Sequence, residues 1–155
     1  MTIKENNTAV KKWLWRYREA KIEAWRMKEE YFELLSVQES IKAVRYDSQP
    51  GGTTKQDLSD MIVARERMER MVERANSEIL RVYGQISKAI SMLEYQTEKN
   101  VISARYIQLK NEYDIRSMEE IGKQLHYSER YVQKIHGLAL INLEPIIREI
   151  EASDR

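Results

Sequence analysis

The sequence predicts an all-α fold in which a long antiparallel helical hairpin, resembling a coiled-coil stalk, precedes a C-terminal helix-turn-helix domain. Only five Gly, two Pro and one Phe occur among 155 residues and 33% of the residues are charged, a composition that favours long helices. Apolar residues recur in steps of three and four as far as residue 93, and shorter patches separated by turn signals follow. We therefore assign residues 8–97 to a hairpin that mediates oligomerisation and residues 98–155 to the helix-turn-helix domain.

The first helix is predicted over residues 8–45, which repeat with the seven-residue period of a coiled-coil seam. Leu14, Phe32 and Leu35 widen its apolar stripe, which indicates contact with more than one neighbouring helix. The two registers of the seam are Val10, Tyr17, Ala24, Tyr31 and Gln38, and Trp13, Ala20, Met27, Leu34 and Ile41.

A loop is predicted over residues 47–54, because this segment contains one of the two prolines and a Gly-Gly pair. A second helical stripe covers residues 57–93 and is interrupted by Arg65. Two long helices joined by a short loop most simply form an antiparallel hairpin. Since the hairpin alone buries too little apolar surface, we expect a homo-oligomer, a dimer or larger. A monomeric three- or four-helix bundle is the alternative.

Three shorter helices are predicted after residue 100, over residues 101–112, over residues 117–125 and from residue 128 into the 140s. Ser117 and Glu120 have the spacing of a capping box, and Ser128 can cap the third of these helices. Pro145 is expected to bend or end that helix unless a new helix begins there.

Residues 118–137 follow the pattern of a helix-turn-helix. Gly122 is the small residue that steeply crossing helices need in order to approach closely. His126 occupies the turn position that requires positive φ, where glycine is usual and histidine is tolerated better than most residues. Val132 and Ile135 are the expected inward residues of the second helix.

If Val132 and Ile135 point inward, the polar residues around them point outward, because each residue advances a helix by 100°. Arg and Lys suit guanine, Gln suits adenine and Glu suits cytosine in the major groove of double-stranded DNA. The predicted DNA-binding residues are Ser128, Glu129, Arg130, Tyr131, Gln133 and Lys134. The alternative is that they form an ordinary solvated helix face.

Four stretches of the C-terminal third carry a resemblance to known proteins: Arg105-Tyr106-Ile107, Met118-Glu119-Glu120-Ile121-Gly122, Tyr127-Ser128-Glu129-Arg130-Tyr131-Val132 and Ile135-His136-Gly137-Leu138-Ala139-Leu140. They resemble region four of sigma factors and, more closely, small phage and prophage transcriptional regulators of the ArpU/RinA type. The opening stretch Lys12-Trp13-Leu14-Trp15-Arg16-Tyr17-Arg18 is similar to the start of that phage group. The resemblance implies control of late phage genes by binding near a promoter.

The segment between Ile107 and Glu119 is several residues longer than the short connection typical of that group. Either the preceding helix is extended or it packs differently, which leaves the role of Arg105 open. Nothing resembles the sigma region that grips core polymerase, so a complete sigma factor is not expected. Contact with RNA polymerase remains open.

The composition also bears on cysteine chemistry, on DNA binding and on the location of the protein. The chain has no cysteine, which excludes disulfides and thiolate chemistry and fits a reducing cytosol. Its net charge of +1 means that DNA binding needs a local basic face or several copies of the chain. No run of 18 apolar residues and no signal-peptide pattern occurs, so we expect a cytoplasmic protein without a membrane partner.

Enzyme chemistry is not expected, since the sequence has no nucleophile motif or phosphate-binding glycine loop. His126 and His136 lack further ligands at metal-binding spacing, so neither a metal nor a cofactor is expected. His126 is expected in a turn, and His136 to pack or to touch a phosphate. The basic residues of the first helix fit solvation better than phosphate contacts.

The rival functions are a phage small terminase subunit that recognises packaging DNA and an adaptor that binds only protein.

Overall fold

The computed structural model describes residues 2–48 and 55–154, and these residues form an all-α fold, as predicted. The helices are α1 (Ile3–Ser48), α2 (Lys55–Ser91), α3 (Gln96–Tyr106), α4 (Met118–Leu125) and α5 (Glu129–Ser153). The predicted loop at 47–54 falls partly within α1, and its remainder lies outside the described residues. Among the described helices, none has both the length and the apolarity needed to cross a bilayer.

The chain divides into two compact units. The first unit combines Met1–Lys21 with Ile79–Arg155, and the second unit is Ile22–Glu78. The predicted boundary between residues 97 and 98 therefore lies inside the first unit. The N-terminal part of α1 and the C-terminal part of α2 belong to the same unit as α3, α4 and α5, and not to a separate stalk.

The main core of the first unit explains this division. Leu14 of α1, Ile86 of α2 and Ile102 of α3 are buried in one cluster with Leu140 and Leu143 of α5. Burying a large aliphatic side chain contributes roughly 1.5–3 kcal/mol, so these contacts hold the end of each long helix in place. The seven-residue pattern indicates the packed face of α1 but not its partners, and one residue of the predicted seam, Ile41, is exposed.

A second cluster in the first unit joins α3, α4 and α5. It contains Val101, Ala104, Ile121, Val132 and Ile135, and Met118, Leu125 and Tyr127 pack against it. The helix α5 thus contributes its first two turns to this cluster and its later turns to the main core.

Helix α5 runs through Pro145 to Ser153, so the proline neither ends the helix nor starts a new one. Proline cannot donate to the carbonyl of Ile141, one turn earlier. Both residues lie on the exposed face of α5, where water can bind that carbonyl. Leu143 and Ile147, on either side of the proline, are both buried in the core and hold the helix in register.

The second unit contains residues 22–48 of α1 and 55–78 of α2. Tyr31 Oη donates to Glu69 Oε1 at 2.8 Å, and Gln38 Nε2 donates to the Met61 carbonyl at 2.9 Å. The later residue of α1 thus contacts the earlier residue of α2, so the two segments are antiparallel. Arg65, which interrupts the apolar stripe, donates to Gln38 Oε1 at 3.4 Å. Gln38, the polar residue of the seam, and Arg65, which interrupts the stripe, are therefore hydrogen-bonded to each other.

Candidate nucleic-acid interface

Helix α4 begins with the capping box that the sequence predicts. The Glu120 amide donates to Ser117 Oγ at 3.1 Å, and the Ser117 amide donates to Glu120 Oε1 at 3.3 Å. Lys110 Nζ lies 2.7 Å from Glu120 Oε2. The hydrogen bond from Lys110, followed by that from the Ser117 amide, lowers the pKa of Glu120. These contacts satisfy two of the backbone amides that a helix start leaves without partners.

The turn after α4 depends on Gly122 and His126. His126 has φ 62° and ψ 41°, the left-handed conformation predicted for it, and the Tyr127 amide donates to the Gly122 carbonyl at 2.8 Å. A Cβ atom at Gly122 would lie 2.6 Å from the Tyr127 carbonyl oxygen. Because that oxygen belongs to the backbone, it cannot move aside independently, so the turn needs glycine at this position.

Helix α5 begins at a second cap, in which Ser128 Oγ accepts the Tyr131 amide at 3.1 Å. Val132 and Ile135 are both buried, which confirms the predicted inward face. They pack with Val101, Ala104 and Ile121 and set the rotation of α5 about its own axis.

All six residues predicted to bind DNA are exposed around the first two turns of α5. They are Ser128, Glu129, Arg130, Tyr131, Gln133 and Lys134. Tyr131 is 40% exposed and makes an edge contact with Tyr127, with ring centroids 5.0 Å apart. Within the described part of the chain, no carboxylate lies within ion-pair distance of Arg130 or Lys134. Arg130 and Lys134 are thus not held in ion pairs, although Glu129 lies on the same face.

His136 belongs to the core and not to this face. It is 6% exposed, its Nε2 lies 2.7 Å from Tyr106 Oη, and the two rings stack with centroids 5.7 Å apart. Burial, then the charges of Lys11 and Arg105, lowers the pKa of His136 to about 4. Burial also raises the pKa of Tyr106. Of the two alternatives for His136, packing is therefore the one observed.

The long connection before α4 does not extend α3, and the helix predicted as far as residue 112 ends at Tyr106. Lys110 and Asp114 instead exchange two backbone hydrogen bonds of 2.7 and 2.8 Å around a tight turn. Asn111 and Glu112 at its tip have φ of 46° and 74°. Asparagine often adopts such angles, so Asn111 is the one local signal for this turn, and glutamate gives no such signal.

Two arginines, Arg16 of α1 and Arg105 of α3, are engaged within the first unit. Arg16 donates to the Trp13 carbonyl at 3.0 Å and to Gln85 Oε1 at 2.9 Å, and its guanidinium lies over the Trp13 ring. Arg105 donates to the Arg116 carbonyl and stacks 5.6 Å from the centroid of the Trp15 ring. Both arginines thus form contacts inside the first unit.

Metal binding has no support in the geometry of the described residues, where no three His, Asp or Glu side chains converge as ligands. No protein-family model, curated protein or solved structure matches the chain.

Proposed function

We propose that this chain is a sequence-specific DNA-binding transcriptional regulator of the phage type, with a helix-turn-helix formed by α4, its turn and α5. The observation that carries the proposal is the arrangement around Gly122. The close approach at this glycine, the left-handed His126 and the buried Val132 together orient α5 so that its first two turns expose only polar and aromatic side chains. Helix-turn-helix proteins present the start of the second helix to base edges in this way.

The exposed face contains the functional groups that major-groove recognition needs. Arg130 and Gln133 have the fork and amide groups that bind guanine and adenine edges in bidentate fashion. Lys134 follows Arg130 by one helical turn and can neutralise a phosphate. Ser128 and Tyr131 carry hydroxyls suited to the backbone of the same groove.

Charge on the chain is unevenly distributed, which helps a nearly neutral protein to bind DNA. Residues 2–21 contain six basic and two acidic side chains, whereas residues 22–78 contain nine basic and twelve acidic ones. Attraction to phosphate therefore belongs to the first unit. A second copy would double the number of phosphate contacts, as the low net charge requires.

Assembly is the proposed role of the second unit. Trp25, Phe32, Ile62 and Val63 are large apolar residues that remain exposed in the single chain, and Phe32 is 59% exposed. Another copy of the antiparallel pair is an occupant of matching length and chemistry, because it presents the same exposed apolar residues. The resemblance to phage regulators supports promoters of late genes as targets.

The direct test is selection of bound fragments from the host phage genome by the purified full-length chain. Enrichment of a promoter upstream of late genes would support the proposal. Enrichment of a packaging site would favour the terminase alternative, and no enrichment would contradict DNA recognition. Two matched variants sharpen the result, because Arg130 and Lys88 are both exposed. Arg130→Ala should reduce enrichment, whereas Lys88→Ala should not.

Single-site binding then distinguishes the roles of the residues. Arg130→Ala or Gln133→Ala should weaken the best site by about 1–3 kcal/mol and relax preference at one base pair. Lys134→Ala should weaken all sequences equally and reduce the slope of log affinity against log salt by about one. Parental binding by all three variants to both specific and random DNA would exclude this face as the DNA-binding surface.

A further inference from the structure

Two arginines of the first unit donate to the backbone just before α4, and a third belongs to that backbone segment. Arg18 Nε donates to the Tyr113 carbonyl at 2.6 Å, and Arg105 Nη1 donates to the Arg116 carbonyl. Arg116 itself is the third. Arg18 comes from α1 and Arg105 from the end of α3, so the cluster joins segments that are distant in the sequence. We call Arg18, Arg105 and Arg116 the arginine cluster.

Two members of the arginine cluster have buried nitrogen atoms without an acceptor. Arg105 Nε and Arg116 Nη1 are inaccessible to solvent and find no hydrogen-bond partner among the described residues. Both side chains are half-buried overall. Buried polar groups are normally hydrogen-bonded, and a native donor left without an acceptor calls for a missing partner.

The cluster also lacks a counter-charge. In the described parts of the chain, no Asp or Glu oxygen lies within ion-pair distance of Arg18, Arg105 or Arg116. The nearby Lys110 is paired with Glu120, which is also occupied by the α4 capping box. Arg18 and Arg105 thus hold two positive charges on carbonyls three residues apart, and neither charge is taken up by an ion pair among the described residues.

We propose that the arginine cluster is a binding site for a phosphate group. Guanidinium groups bind phosphate through paired N–H donors, and a phosphate group offers several acceptor oxygens together with the opposite charge. A local movement of the two side chains would let a phosphate reach Arg105 Nε and Arg116 Nη1, and it would then supply acceptors for both and a counter-charge. Arg18 and Arg105 each keep one donor on a backbone carbonyl, which limits the freedom of both side chains before the anion arrives.

The phosphate can come from the DNA backbone or from a small free anion. The DNA source rests on the proposed function, since Arg116 immediately precedes Ser117, the first residue of the proposed helix-turn-helix. The amides at the start of α4 are already used by the capping box, so the arginines and not the helix end would hold the anion. Both sources present the same phosphate group to the arginine cluster. Only the DNA source predicts that Arg116 affects DNA binding.

The first experiment measures thermal unfolding of the full-length chain in sodium phosphate against sodium chloride of equal ionic strength. A bound anion stabilises the folded state, so phosphate should raise the melting temperature by about 3 °C when it is in about tenfold excess over its Kd. Arg116→Gln should abolish this rise, and Arg116→Lys should retain part of it. Arg148→Gln is the matched control, because Arg148 is exposed and pairs only with Glu144 within its own helix.

The second experiment compares the salt dependence of DNA binding for the parent and Arg116→Gln. A slope reduced by about one identifies a backbone phosphate as the ligand. An unchanged slope together with phosphate stabilisation identifies a small free anion. If phosphate and chloride stabilise the parent equally and Arg116→Gln leaves the slope unchanged, the arginine cluster is not a phosphate site. If the parent does not bind DNA at all, the proposed function fails, while the phosphate comparison still decides the site.

Discussion

The two compact units are built from segments of the same two long helices, yet they bury very different shares of their apolar side chains. In the first unit, the ends of α1 and α2 meet three further helices and leave Leu14, Ile86 and Leu143 inaccessible. In the described part of the second unit, the buried apolar residues are Ala24 and Met27, whereas Trp25 and Phe32 remain exposed. The same heptad pattern therefore supports a closed core in one place and a one-sided contact in the other.

The number of neighbours explains the difference. A helix buries a stripe of about 100° or more when several helices surround it, but a single partner covers only part of that stripe. The first unit has five helical segments and can form a core within one chain. The second unit has two, so part of its apolar surface stays exposed in the described chain.

Val132→Asp should have the largest effect, because it places a charge in the second cluster of the first unit, where Val132 is fully buried. An unpaired buried charge costs about 4 kcal/mol or more, so the C-terminal helices should unfold and DNA binding should be lost indirectly. Urea unfolding followed by circular dichroism measures the loss. Gln133→Ala, one residue along on the exposed face, should leave the midpoint nearly unchanged. Equal midpoints for the two variants would contradict the assigned rotation of α5.

Gly122→Ala should destabilise the first unit by about 1–3 kcal/mol, since the added methyl group overlaps the Tyr127 carbonyl oxygen. Gly137→Ala is the matched control in α5, because an added Cβ meets nothing within 4 Å there. The control should be neutral or stabilising by up to about 1 kcal/mol, as alanine favours helix over glycine. Thermal melting of both variants tests the close approach. It would be refuted if Gly122→Ala melted at or above the parental temperature.

Acid should weaken the first unit through His136. The pKa of His136 is lowered to about 4 in the folded chain, against an ordinary value of 6.5. Well above pH 6.5 neither the folded nor the unfolded state holds the proton, so the stabilisation is complete. As the pH falls below 6.5 only the unfolded state takes the proton, and about 2 kcal/mol is lost between pH 6.5 and pH 5.

The pH dependence can be assigned because the chain has only two histidines. His136→Gln should flatten the change in urea midpoint between pH 6.5 and pH 5, whereas His126→Asn, in the exposed turn, should preserve it. An unaltered slope in His136→Gln would show that another group is responsible.

The segment from the start of α4 to the start of α5 was predictable because its signals are local. Ser117 and Glu120 satisfy each other's backbone amides, Ser128 caps the next helix, and Gly122 lies where the chain closes on itself. Each of these interactions spans a few residues, so the residue types alone indicate them. The exposed and buried faces of α5 followed from helical geometry, and the choice of DNA as ligand remains a proposal.

The features that sequence reasoning missed depend on distant contacts. The turn at Lys110–Asp114 interrupts a segment whose apolar spacing continues that of α3, and it is held from outside by Arg18 on the Tyr113 carbonyl. The boundary of the first unit depends on α1 and α2 packing against α5, which a single stripe cannot reveal. The arginine cluster likewise joins residues from three separated segments.

Phe32→Ser should have the smallest effect on the folded chain and the most direct effect on assembly. Phe32 is 59% exposed, so its replacement should change the stability of the isolated chain by only about 0.5 kcal/mol. If copies of the second unit associate through this surface, the same change removes an aromatic anchor and should shift the equilibrium towards monomer. Sedimentation of the parent at micromolar concentration should show a dimer or larger, and Phe32→Ser should show more monomer. Leu80→Ser, at an exposed leucine of the first unit, is the control and should sediment like the parent. A strictly monomeric parent that still binds DNA tightly would mean that the exposed apolar residues of the second unit do not mediate self-association. The different shares of apolar side chains that the two units bury would then need another explanation.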